Sequence, residues 1–379
     1  MQYEPLDMTK NEIRVLEFLD LPSPVSTEGI IRCSIRNVSL GTPRQSYFRG
    51  RKLPSIWDKY TKSVDSRHLT LEQTTHAGLH GTPGSGSRYD WGDFEALSYT
   101  WGDTSETKTI QINGVHKDVP RNLEEALRAL RNLEETLSGM CYWIDSLCID
   151  QENIEERNEQ VKRMKEIYGR ARAVIVWLGQ EEEQDGIAVQ IMQQLCNGAE
   201  GKYPRNDMVR REWPAIIPFA QKPYWSRCWI IQELAMNHNA TLFLCGEFEL
   251  TRKMIESGAR WGLRLSQDSE DINHQSDHKL QLGAWAMVTH MDNLIAIEHK
   301  GNYRMGVDSL LHLIRRAGAT DEKDKIYSIL GLLDPAISAG VTPDYSLSVQ
   351  QVYTEFMKSA INGSGILDQV VFAAVKQKE

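Results

Sequence analysis

The sequence of 379 residues predicts an α/β protein built on a doubly wound, mostly parallel sheet flanked by helices. Three observations carry that prediction. Between residues 94 and 246 strand-like and helix-like segments alternate, the order that places helices on the faces of a sheet. AVIVWLG (173–179) is a continuous apolar run, as a central strand covered on both sides must be, and TLFLCG (241–246) reads as another buried strand. Polar and acidic residues gather where the strands at 94–100 and 141–150 run out, the end at which such sheets bind ligands.

Taken in order, IRVLEFL and IIRCSIRNVSL within residues 11–40 read as strands or a hairpin ahead of the main fold. Residues 41–90, with GTPRQ and HGTPGSGSRYD and few periodic apolar positions, read as a flexible, exposed insertion. FEALSYTWGD (94–103) predicts a buried strand ending in a glycine-containing turn. Asn113-Gly114 inside TIQINGVHKDVP (109–120) predicts a two-residue hairpin. Leu123, Ala126, Leu127, Leu130, Leu133 and Leu137 recur at helical spacing, and CYWIDSLCID (141–150) follows as a strand with its acids at the far end. Residues 152–171 place Val161, Met164, Ile167, Tyr168 and Ala171 on one helical face. Helices are also expected at 187–196, 208–220 and, more strongly, 223–237. Beyond about residue 255 the pattern turns helical, around 281–298, 306–317, 323–333 and 348–362, with the polar stretch 266–279 as boundary or loop. The expected division is therefore 1–255, with a core at 94–246, and a mainly helical region 256–379.

Composition narrows the function. Lys plus Arg number 43 against 52 Asp plus Glu, a formal charge of −9, which disfavours a phosphate backbone as main partner. The six cysteines show no CxxC pair and read as reduced core thiols. No secretory signal and no run of about 18 apolar residues is found, so a soluble, intracellular protein without a membrane role is expected. The histidines give no HExxH, and His274 and His278 share a polar loop; no metal site is expected.

Three clusters hold candidate chemistry. Ser98, Tyr99, Trp101, Gly102 and Asp103 combine aromatic faces with an acid, suited to stacking on a flat ring and accepting hydrogen bonds from sugar hydroxyls; alternatively Trp101 plugs the core and Asp103 caps a turn. Asp145, Asp150, Gln151 and Glu152 surround the end of the next strand. Asp145, set among Ile144 and Leu147, needs a partner or a cavity, and Asp150 is either a second ligand-binding carboxylate, for magnesium among others, or the cap of the following helix. In WSRCWIIQEL, Trp225, Trp229 and Glu233 are spaced i, i+4, i+8, one stripe of a helix with the carboxylate one turn beyond an indole. Glu233 in such surroundings suits a catalytic acid or electrostatic stabiliser, or else pairs with Arg227 or another cation.

FEALSYTWGD, YWIDSLCIDQENIEERNEQVKRMKEIYGRARAVIVWLG and RCWIIQELAM, in this order, resemble the three blocks of the fungal heterokaryon incompatibility (HET) domain. DEKDKIYSILGL (321–332) and PDYSLSVQQVYTEF (343–356) resemble the segment that commonly follows it. The resemblance implies a cytoplasmic protein of self/non-self recognition and programmed cell death. Through the likeness of the HET domain to the TIR fold, it also implies a TIR-like, flavodoxin-like sheet, and makes Glu233 the glutamate that serves NAD cleavage in enzymatic TIR domains, with Trp229 its aromatic neighbour. The insertion 41–90 and the hairpin 109–119 depart from the TIR pattern. On this reading NAD is a substrate and no cofactor is needed; Ser98, Tyr99, Trp101, Gly102, Asp103, Asp145, Asp150, Gln151, Arg227 and Trp229 line the nucleotide site. Residues 148–158 mediate self-association, answering to an upstream trigger protein. The competing class is a non-enzymatic module acting by self-association or partner recruitment; a metal-dependent phosphoesterase using Asp145 and Asp150 is a third.

Overall fold

Why the two faces of this sheet are both buried is written in its alternation: Phe94 and Ala96 enter one apolar cluster, Leu97 and Tyr99 the other. The computed structural model describes residues 3–20, 29–40, 94–133, 136, 139–197, 215–236, 241–268 and 306–364. The expected insertion at 41–90, the helix at 281–298, most of the polar stretch 266–279 and the start of the helix at 208–220 lie outside these residues.

The described strands are β1 (Glu12–Phe18), β2 (Arg32–Ser39), β3 (Phe94–Tyr99), β4 (Thr107–Ile112), β5 (Val115–Pro120), β6 (Cys141–Trp143), β7 (Val174–Trp177), β8 (Thr241–Cys245) and β9 (Phe248–Thr251). They form one sheet in the order β5-β4-β2-β1-β6-β3-β7-β8-β9. At its centre β6, β3, β7 and β8 run parallel, in the spatial order second, first, third, fourth of their appearance in the chain. The strand order thus reverses between β3 and β7. The flanks are largely antiparallel: β1 lies against both β2 and β6, and β4–β5 and β8–β9 are hairpins, with a short parallel contact between β2 and β4. The sheet is therefore mixed, its parallel part confined to the centre.

The helices are α1 (Arg121–Arg131), α2 (Asp145–Cys148), α3 (Ile154–Lys162), α4 (Met164–Arg170), α5 (Asp185–Asn197), α6 (Ile216–Ala220), α7 (Ile230–Met236), α8 (Arg252–Asp268), α9 (Val307–Arg316), α10 (Asp324–Tyr327), α11 (Pro335–Ser338) and α12 (Val349–Ser364). α1 covers the face shared by Leu97 and Ile175, through Leu123, Leu127 and Leu130. The other face packs on α4, α5 and α7, and the same cluster takes in Val307, Leu310, Ile326, Val352 and Phe356 of the C-terminal helices. Asn113 and Gly114 both have positive φ, 50° and 81°, the two left-handed residues that a tight hairpin turn requires. No described helix is long and apolar enough to cross a membrane.

Four elements differ from expectation, the helix expected over 323–333 being only Asp324–Tyr327 followed by a 3₁₀ turn at Leu330–Leu332, and the other three bearing on the site. The strand expected over 141–150 has only 3 residues, Cys141–Trp143. After Ile144 the Asp145 carboxylate accepts the Ser146 N–H at 2.7 Å, a local bond that competes with the ladder and starts the turn α2. The helix expected over 152–171 breaks at Arg163, whose guanidinium donates to the backbone oxygens of Asn11 and Glu12. The helix expected over 223–237 is a 3₁₀ turn, Pro223–Ser226, then extended backbone at Arg227, and only then α7. Arg227 is drawn out of helical geometry by a parallel bridge to Gly318. The i, i+4, i+8 stripe accordingly dissolves: Trp225 is buried against Phe243 and donates its indole N–H to Phe219 O at 3.0 Å.

Candidate functional site

Side chains alternate along β3, so Ser98 and Tyr99 serve different layers. Ser98, the penultimate residue of the strand, faces α7. Its hydroxyl donates to the Glu233 carboxylate and shares a 2.7 Å hydrogen bond with the Tyr224 hydroxyl. Glu233 is 1% exposed. Arg227 Nη1 stands 3.6 Å from Glu233 Oε2, and the Tyr168 hydroxyl is also in reach of the carboxyl group. At the end of β6, Asp145 accepts the Trp101 indole N–H at 3.0 Å through Oδ2, and its backbone oxygen accepts from Gln151 Nε2 at 3.1 Å. Trp101 itself is 41% exposed, so the indole that bonds Asp145 also meets solvent.

Two carboxylates and one guanidinium thus lie together at the C-terminal ends of the central strands, where the strand order reverses; open α/β sheets bind ligands at that end. Burial pushes Glu233 above the ordinary carboxylate range, Arg227 and Ser98 pull it back, and Asp145 adds to the rise. Asp145 is likewise raised by burial and partly restored by Arg227 and the Trp101 N–H. Burial works against the charge of Arg227, but Glu233 and Asp145 outweigh it and hold the guanidinium above its usual value. A carboxyl group so placed can bind vicinal hydroxyls and stabilise positive charge that develops beside it.

Of the residues anticipated from sequence, Ser98, Trp101, Asp145, Gln151, Arg227 and Glu233 come together. Tyr99 packs in the opposite layer with its hydroxyl on Ser146 Oγ at 2.7 Å, within electrostatic reach of Asp145, Arg227 and Glu233. Asp103 is exposed and accepts the Ser105 N–H at 2.8 Å, a turn cap. Asp150 accepts the Glu152 N–H at 3.2 Å and gives its own N–H to Glu156; the helix cap is Asn153, which accepts the Glu156 N–H at 3.1 Å. Trp229 packs on the core and directs its indole N–H at Asp324. Tyr224 and Tyr168 complete the site without having been anticipated; the signal available was that a tyrosine in an apolar run needs a partner for its hydroxyl. Among the described residues no group of three or more His, Cys, Asp or Glu is arranged to hold a metal ion.

Gly102 sets the approach of Trp101. Its φ is +77°, and a Cβ there would stand 3.1 Å from Asn122 Cβ. Asn122 in turn bonds Thr100 O and accepts the Trp177 indole N–H at 2.9 Å. Gly102→Ala is expected to cost about 1–2 kcal/mol, read from the urea midpoint, because an L side chain is strained in that conformation.

Residues 94–233 match the family model described as heterokaryon incompatibility protein (HET). The match opens on the first residue of β3 and closes on Glu233. Heterokaryon incompatibility protein 6, OR allele, of Neurospora crassa is 25% identical over 321 residues, covering 70% of this chain and 47% of that protein. The chain therefore spans about half the length of the curated relative it matches. No solved structure matches the chain.

Proposed function

We propose, from the premise that this chain carries a fungal heterokaryon incompatibility domain, that it is an effector of self/non-self recognition and cell death that hydrolyses NAD or a related nucleotide. The observation that carries the reading is Glu233: a buried, raised carboxyl group at the C-terminal ends of the parallel strands, bonded by Ser98 and flanked by Arg227. The central strand order is the one found in flavodoxin-like sheets, which supports kinship with the TIR fold.

In the reaction, water displaces nicotinamide from the ribose anomeric carbon, giving ADP-ribose and a proton. Glu233 holds the ribose hydroxyls and opposes the positive charge of the oxocarbenium-like transition state. Ser98, itself bonded to Tyr224, fixes the carboxyl group, Arg227 favours its ionised form against the effect of burial, and Trp101 stacks on a ring with Asp145 holding its indole. Self-association in answer to a trigger protein belongs to the same proposal. Its surface within 148–158 narrows to the exposed residues 152–155, because Glu156, Arg157 and Asn158 are tied inside the fold.

Incubating the purified protein with NAD and measuring nicotinamide and ADP-ribose by chromatography tests the reading; equimolar release is expected. Asp145→Ala should lower the rate about tenfold or more, whereas Asp150→Ala, outside the cluster, should leave it within about twofold. Equal rates in the two variants would remove Asp145 from the site. The same burial of Glu233 favours a second reading, a scaffold in which the Arg227–Glu233 pair is structural. Absence of release at every protein concentration, with toxicity retained in Glu233→Gln, would select it.

A further inference from the structure

Ser226 to Glu233 sit at the end of the matched region, yet several of the bonds that shape this stretch come from beyond it. Gly318 N–H donates to Ser226 O at 2.5 Å and Gly318 O accepts from Cys228 N at 3.0 Å, so the two bonds clasp Arg227. Gly331 N–H donates to Gln232 Oε1 at 3.2 Å; a Cβ at Gly331 would lie 2.7 Å from that oxygen. Between them Asp324 receives the Trp229 indole N–H and the Tyr345 hydroxyl. The Tyr345 ring lies under the Arg157 guanidinium of α3 at 3.5 Å, and its backbone is held by Asn158 Oδ1 at 2.9 Å and Lys323 Nζ at 2.9 Å.

The clasp decides the geometry of the site. In an uninterrupted helix, residues six apart are turned by about 240° from one another, so Arg227 and Glu233 would face different ways. The apolar pattern of 223–237 favours just that helix. The bridge to Gly318 holds Arg227 in extended backbone, φ −72° and ψ 139°, and α7 begins only at Ile230. The ion pair exists because the helix is interrupted.

We propose that Gly318 and Asp324 are positioning residues that create the Arg227–Glu233 pair, so that the working site of this chain extends past the matched region to about residue 345 and is linked through Tyr345 to α3. The inference concerns the pair itself. Only its effect on turnover rests on the hydrolase reading.

The test follows the Glu233 side chain by ¹³C NMR, its signal assigned by loss in Glu233→Gln. Glu233 is faced by Arg227, Asp145, Tyr99, Tyr168, Tyr224, Cys228 and Ser98, and of these only Arg227 is cationic. Arg227→Met, the reference for a lost pair, moves the titration midpoint upward. Gly318→Pro, which removes the N–H to Ser226, is expected to reproduce that upward move. Gly318→Ala is expected to stay near wild type, since its Cβ makes ordinary contact with Ser226 O at 3.4 Å. Asp324→Ala should move the midpoint in the same direction and Asp324→Asn should restore it, a second pair of variants in case Gly318→Pro does not fold. A wild-type midpoint in folded Gly318→Pro or Asp324→Ala overturns the inference. With NAD, Gly318→Pro and Asp324→Ala should lose about tenfold in kcat with KM little changed, and Gly318→Ala and Asp324→Asn should not. If the wild type releases no nicotinamide, the hydrolase reading fails while the titration still decides the pairing.

Discussion

Glu233→Gln should abolish nucleotide hydrolysis, by about 10³-fold or more, while the protein stays folded and gains stability at neutral pH. A thousandfold loss corresponds to about 4 kcal/mol of transition-state stabilisation, a reasonable share for a charge set in a water-poor site. The stability gain follows from linkage. Burial raises Glu233 in the folded state above its unfolded value, so the folded chain binds the proton more tightly and stability falls as pH climbs from the ordinary carboxylate value through the raised one. Glutamine has no proton to lose, and Asp145 remains to face Arg227. Melting midpoints of the two proteins, measured from pH 4 to pH 8, should therefore separate as pH rises. In the wild type, kcat/KM should fall on acidification with a midpoint above the ordinary glutamate range. Retained activity in the variant, or loss of its melting transition, would end the catalytic assignment.

Glu156→Ala should be among the most damaging single changes to the fold, costing about 3–5 kcal/mol. Arg14, in β1, is 1% exposed, and its guanidinium bonds both carboxylate oxygens of Glu156, Cys148 O at 3.1 Å and Glu4 O at 2.5 Å, with Tyr3 4.6 Å away. Removing the carboxylate leaves a buried cation without its counter-charge. Arg14→Met combined with Glu156→Leu should recover much of the loss, because apolar groups of similar size need no partner. Urea denaturation of the two variants checks this; a double variant as unstable as Glu156→Ala would mean that the backbone bonds of Arg14 dominate. Charge reversal at Glu156 or Arg157 consequently reports on folding before it reports on assembly.

The parts of the fold that were legible were those decided by neighbours in sequence. Val174–Trp177 and Thr241–Cys245 are buried throughout because both faces of the central strands are covered, and Asn113-Gly114 turns because its two residues tolerate positive φ. Asp145 was legible as an acid in need of a partner, and the structure supplies Trp101 and Arg227. What could not be read was decided at long range. No periodicity in 223–237 announces that Gly318 will break the helix, nor that Arg163 will break another by reaching Asn11 and Glu12. The surroundings of Tyr99 and Trp229 were not legible either: a strand sends Tyr99 to the layer opposite Ser98, and the Trp229 indole turns to Asp324, a partner about a hundred residues away in the chain.

The place of β1 in the sheet carries a cost during synthesis. β1 and β2 can pair within microseconds as a local hairpin, but the free side of β1 belongs to β6, whose residues leave the ribosome about 120 residues later. At ordinary translation rates that is roughly 6–25 s during which a strand edge stands unpaired in a crowded cell. Charged side chains are the usual guard for such an edge, and β1 carries Glu12, Arg14 and Glu17 among its seven residues. When β6 arrives, Glu156 follows closely behind it in the chain, and Arg14 is then neutralised as it is covered. The arginine that leaves the open edge charged thus becomes, once Glu156 meets it, a bond that ties β1 to α3.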